Sequence, residues 1–202
     1  MESMGIHHSE SESPIHWRQF LALEEDLMLA ARYIEFSEEN FATYSIELAS
    51  LLLGAGSEID VVAKQICKNL KRSSKAKNIW QYGNQISAAI PTVGTFKLLL
   101  PKYGLDLQPW SNWAANPRKN TYWWKSYNNV KHERHNHYNE ANLKNVLNAV
   151  GGLYILVLYL YENLATEGRL SPNSVLFRPH PDFFGGTSVW DTEFCINYVL
   201  RS

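Results

Sequence analysis

The sequence predicts an all-α protein: a helical bundle with a long central helix in its C-terminal half and an aromatic-rich loop packed over it. Three observations carry that prediction. From Leu143 the apolar residues recur at Val146, Leu147, Val150, Tyr154, Val157, Tyr161 and Leu164, the three-and-four spacing of one helix face. Between Leu153 and Tyr161 every residue is apolar or aromatic, so this helix must be covered nearly all round. Stops at Gly54, Pro91 and Gly168 then divide the rest of the chain into segments of helical length.

Residues 1–13 are rich in Ser and Glu and read as a disordered tail, leaving 14–202 as a single domain with an irregular C-terminal extension. Pro14 suits a helix start, and Trp17, Phe20, Leu23, Leu27 and Ala31 place a first helix near 15–35. Ser37 followed by two acids reads as the N-cap of a second helix near 38–53, stopped at Gly54-Ala55-Gly56. Ser57 with Asp60 reads as the capped start of a third, near 58–71, ending in the basic run Lys68–Lys77. That run suits a solvated helix end better than a phosphate-binding patch. A fourth helix is expected near 78–90, closed by Pro91 and Gly94.

The following loop is rich in Pro and aromatic residues: Tyr103, Trp110, Trp113, Tyr122, Trp123 and Trp124. Left exposed, those rings would be costly, so the loop is expected to fold over the helices as a lid; an aromatic platform for bases is the sharper alternative. The long helix is placed near 139–166. Beyond Gly168 the chain breaks up, and Ser188–Leu200 suits either a strand or a short docked helix.

Composition narrows the function classes. With 202 residues, 45% apolar and 13% aromatic, one domain with a substantial core is expected. A net charge of −1 gives no global field toward nucleic acid or membrane, so any such binding must be local. Cys67 and Cys195 form no CxxC or CxxH pattern and read as reduced thiols of a cytoplasmic protein. The N-terminus lacks the basic and apolar regions of a signal peptide. The apolar run Val150–Tyr161 falls short of the roughly 20 residues a membrane span needs, and no membrane association is expected.

Common catalytic signatures are missing: there is no GxxxxGK[ST], no GxGxxG after a strand pattern and no GxSxG. His132-Glu133-Arg134-His135 departs from the zincin helix because Asn136 stands where the second His is needed. A metal on the face of these His and Glu residues is conceivable, but no Cys is near, and neither metal nor cofactor is expected. What remains is Tyr127-Asn128-Asn129-Val130-Lys131-His132-Glu133-Arg134, ahead of the long helix. In a helix, Asn128 and His132 share a face, with Lys131, Arg134 and His135 beside it. An imidazole among cations suits a proton acceptor, and the cations suit a phosphate. Against this stands a plainer role, in which Asn and His cap backbone groups and fill a polar gap.

Asn128-x-x-x-His132 before a long apolar helix resembles the HEPN superfamily (higher eukaryotes and prokaryotes nucleotide-binding domains). The motif there is Arg, commonly followed by Asn, Asp or His, then His after three or four residues. Asn128 and His132 match it, while the Arg position holds Tyr127. The stretches 123–162 and Ser57–Cys67 also resemble uncharacterised bacterial proteins of this size. The resemblance implies an RNA-directed protein, with metal-independent cleavage at a dimer interface, in a toxin or defence system. His132 would then take the 2′-hydroxyl proton, Asn128 orient it, and Lys131 or Arg134 stabilise the phosphate charge. The alternative is a non-catalytic helical module that binds nucleotide, RNA or a partner protein. A two-fold homodimer is expected, from the resemblance and because the apolar stretch Leu153–Tyr161 exceeds what one small bundle readily covers.

Overall fold

A computed structural model describes residues 14–117, 119, 121–190 and 192–200. The tail expected over 1–13 lies outside them. Seven α-helices are present among the described residues: α1 (Ile15–Ala30), α2 (Ile46–Leu70), α3 (Ile79–Ala89), α4 (Ser111–Ala115), α5 (Tyr122–His137), α6 (Leu143–Leu160) and α7 (Glu162–Thr166). The protein is mainly helical, and the all-α expectation is corrected by two small antiparallel sheets. In the first, β1 (Leu98–Leu100) lies between β2 (Leu105–Leu107) and β3 (Arg178–Pro179). The second is a hairpin of β4 (Phe184–Trp190) with β5 (Glu193–Tyr198), so the C-terminal extension is irregular only up to β3.

The helices begin and end where local chemistry stops the backbone. Ser45 caps α2 by accepting from the Leu48 N–H at 3.1 Å. Asn78 does the same for α3, accepting from Gln81, and Asn142 for α6, accepting from Asn145. Pro91 closes α3 as expected, and Gly168 ends α7 with φ +65, the left-handed geometry that suits Gly. Ser37 precedes only a 3-10 turn, Glu38–Asn40.

The largest departure is at Gly54-Ala55-Gly56, where α2 continues without a break. These glycines serve packing instead of termination. A Cβ on Gly56 would stand 2.3 Å from the Tyr127 ring, so α2 and α5 approach through a gap that only Gly leaves open. Ser57 is accordingly an exposed mid-helix residue, not a cap.

Helix α6 is the centre. It lies along α2, with α1 and α5 packed against the pair, and every residue from Leu153 to Tyr159 is buried. Its length and composition suit a membrane span, yet 89% of it is buried inside the fold. The chain's own elements therefore cover the apolar stretch from which a dimer was argued. The region expected as an aromatic loop supplies much of that cover, but it carries β1, β2 and α4, and Trp123 belongs to α5. Trp110, Trp113 and Trp123 are buried; Trp110 Nε1 donates to the Gly152 carbonyl at 3.0 Å, and Trp123 Nε1 to that of Pro109 at 2.9 Å. These rings are core, which removes them as a stacking platform.

Candidate nucleic-acid interface

Helix α5 changes character midway. Its first half buries Trp123, Trp124, Tyr127 and Val130, an apolar face at three-and-four spacing that seats it against α2 and α6. From Lys131 to Asn136 every residue is exposed. The helix also bends here, with Glu133 at φ −137, ψ 49. A polar knot fixes the bend from the far side. Glu140 accepts from Asn129 Nδ2 at 3.1 and 3.0 Å and from His137 Nδ1 at 2.7 Å. His137 Nε2 lies 3.8 Å from Glu133. Burial pushes the Glu140 carboxyl upward, but hydrogen bonds from Asn129, Ser126 and His137 outweigh it and hold the group below its ordinary range.

Tyr127 is buried against Gly56. Its hydroxyl accepts from Lys131 Nζ at 3.3 Å, and that ammonium also lies 5.4 Å from the Tyr127 ring centroid. Asn128 is half-buried and turned back along its own helix, Nδ2 donating to the Trp124 carbonyl at 3.0 Å. His132, Arg134 and His135 are exposed, and with Lys131 and Tyr138 they line a shallow surface depression. Neither Lys131 nor Arg134 is ion-paired with a carboxylate among the described residues.

The predicted site residues thus divide between two neighbouring hollows. Lys131, His132 and Arg134 share the shallow one. Asn128 opens instead onto a deeper cleft of about 480 Å³ between α2, the start of α3 and α5, lined also by Asp60, Lys77, Trp80, Trp124 and Tyr127. Lys131 borders both hollows. Sequence reasoning missed Asp60, Lys77 and Trp80, which come from elements far upstream. One signal was present: Trp80 falls between the buried positions Ile79 and Tyr82 of α3, off the helix's apolar face.

Among the described residues no group of three or more His, Cys, Asp or Glu side chains is placed to hold a metal ion. Comparison with protein-family models, with curated proteins and with solved structures gave no match.

Proposed function

We propose that this protein is an RNA-directed helical module that holds the phosphate backbone on the exposed half of α5 without cleaving it. The observation that supports this is the side-by-side exposure of Lys131, His132, Arg134 and His135, with no carboxylate ion-paired to Lys131 or Arg134 among the described residues. In a chain of net charge −1, the exposed Lys131 and Arg134, with Glu133 engaged by His137, offer a local site for an anion. Phosphate oxygens suit guanidinium and ammonium donors, and contacts of this kind position a strand without reading its sequence.

Two features favour binding over cleavage. Tyr127 puts a buried phenol where the resemblance implies a reactive-site Arg. Asn128 has one N–H engaged by Trp124 and faces a different hollow from His132. Metal-independent cleavage is the second reading, and one observation favours it: His132 is exposed, makes no hydrogen bond among the described residues and is flanked by two cations. In that reading a second copy completes the site, and scattering should report twice the 23.2 kDa chain mass.

The test is fluorescence anisotropy with a short RNA, beside a cleavage assay with and without chelator. Binding that weakens as salt rises, with intact RNA, is the expected result. Replacing Arg134 and Lys131 by Glu should reduce affinity by about tenfold or more. His132→Ala should leave the melting temperature nearly unchanged, because an exposed side chain contributes within about 0.5 kcal/mol. Chelator-resistant cleavage that His132→Ala abolishes would replace this reading with the ribonuclease one.

A further inference from the structure

The cleft beside the cationic stretch has a composition that phosphate binding alone does not call for. It is walled by α2 through Asp60, by α3 through Trp80, and by α5 through Trp124, Tyr127, Asn128 and Lys131. Its volume of about 480 Å³ lies in the range of small-molecule sites. Trp80 leaves 45% of its surface open to solvent, although an indole is among the side chains that gain most from burial. No other aromatic ring is stacked on it among the described residues.

Asp60 is half-buried. Its Oδ1 accepts from the Tyr82 hydroxyl at 3.2 Å, while Oδ2 has no partner among the described residues. Lys77 and Lys131 stand on the rim without a carboxylate ion pair. The cleft therefore combines a half-exposed indole with no ring stacked on it, a carboxylate with unused acceptor sites and two ammonium groups.

We infer that this cleft is a guanine-selective nucleotide pocket, in which the base stacks on Trp80, Asp60 reads its edge, and Lys131 and Lys77 hold the attached phosphate. A carboxylate presents only acceptors, two of them side by side. Guanine matches them with two adjacent donors, N1–H and the exocyclic N2–H. Adenine and cytosine offer an amino group beside a ring acceptor, and uracil a single N3–H between two carbonyls. Those bases would set a lone pair against the carboxylate, which penalises them. Stacking on an indole tolerates every base, so Trp80 supplies affinity and Asp60 supplies choice. Lys131 borders both hollows, so a phosphate on it would join the pocket to the strand path along α5. In that respect the pocket rests on the RNA-binding reading, which it extends to single strands carrying an unpaired G.

The test is isothermal titration of the full chain with 5′-GMP and 5′-UMP, alongside anisotropy with an oligouridylate. GMP should bind at least about tenfold more tightly than UMP, the scale of one satisfied pair of hydrogen bonds. Asp60→Asn should bring the two nucleotides within about twofold, since the amide sets its own donor against the base. Trp80→Ala should weaken both by about tenfold or more, through lost stacking. Its unfolding temperature should stay close to wild type, because Trp80 is exposed, which guards against misreading an unfolded variant. Oligouridylate binding with no preference for GMP would overturn the pocket and leave the backbone reading standing. Selective GMP binding without oligouridylate binding would do the reverse. Silence toward both, or a GMP preference that survives Asp60→Asn, would overturn the pocket.

Discussion

Tyr127 is held from two sides, by the backbone of α2 at Gly56 and by the Lys131 ammonium at its hydroxyl. Tyr127→Arg, the residue that the resemblance implies at this position, would place a guanidinium in a slot sized for a ring. We expect destabilisation of roughly 3 kcal/mol and no gain of RNA cleavage, measured by denaturant unfolding and a gel assay. A stable variant that cleaves RNA would mean that the slot is adaptable and that Tyr127 is a silenced catalytic position. Glu140 gives a second residue-level test. Its folded-state carboxyl is held below the usual range, so the stabilisation it brings is present above the unfolded pKa of about 4.3. That contribution fades as pH falls through the lower folded value. Glu140→Gln should therefore lower the melting temperature near neutrality, and the gap from wild type should close on acidification below the usual carboxylate range.

The two glycines within α2 separate two effects that look alike in sequence. A methyl group on Gly54 would meet only the end of the Leu23 side chain, at 3.1 Å. Gly54→Ala should be neutral or stabilising by up to about 1 kcal/mol, through better helix propensity. On Gly56 the methyl meets the Tyr127 ring at 2.3 Å, and Gly56→Ala should cost about 1–3 kcal/mol as α5 is pushed away. Equal melting temperatures for the two variants would show that α5 yields freely. This pair also marks where the sequence could be read. Apolar periodicity located α1 and α6, and Pro91 and Gly168 marked closures, because those signals are local; the caps read at Ser37 and Ser57 start no α-helix. Gly54-Ala55-Gly56 carries the same local signal as a stop, and only the partner helix tells the two apart. The exposed basic half of α5 was legible as a density of charge. The cleft was not, since Asp60, Trp80 and Lys131 meet only through the packing of three helices. The C-terminal hairpin was ambiguous because its pairing is between strands, beyond any one window.

At the scale of the molecule, α1 and α6 are tied to the segment that follows α7. Buried Glu24 of α1 accepts hydrogen bonds from the Ser174 hydroxyl and from the backbone N–H groups of Val175 at 3.0 Å and Leu176 at 2.9 Å. Trp17 Nε1 donates to the Pro172 carbonyl at 3.0 Å, and the Tyr154 and Tyr198 hydroxyls meet at 2.7 Å. Glu24→Ala would orphan several buried donors at once, and we expect a loss of roughly 3 kcal/mol in equilibrium unfolding, with Glu24→Gln less damaging. A loss below about 1 kcal/mol would mean that this end of the chain is dispensable to the core.

The span of those contacts has a consequence for how the protein is made. Glu24 and Ser174 are 150 positions apart, so α1 leaves the ribosome long before the segment that completes it. Until then a Trp, a Phe and several Leu of α1 have only part of their final cover, and the apolar surface of α6 emerges into the same unfinished assembly. A chain with so distant a closure gains these contacts only after the segment around Ser174 has been made, in one late step instead of helix by helix. Nascent chains released before Ser174 should therefore be the ones that chaperones hold and proteases remove, while chains carrying the hairpin escape both.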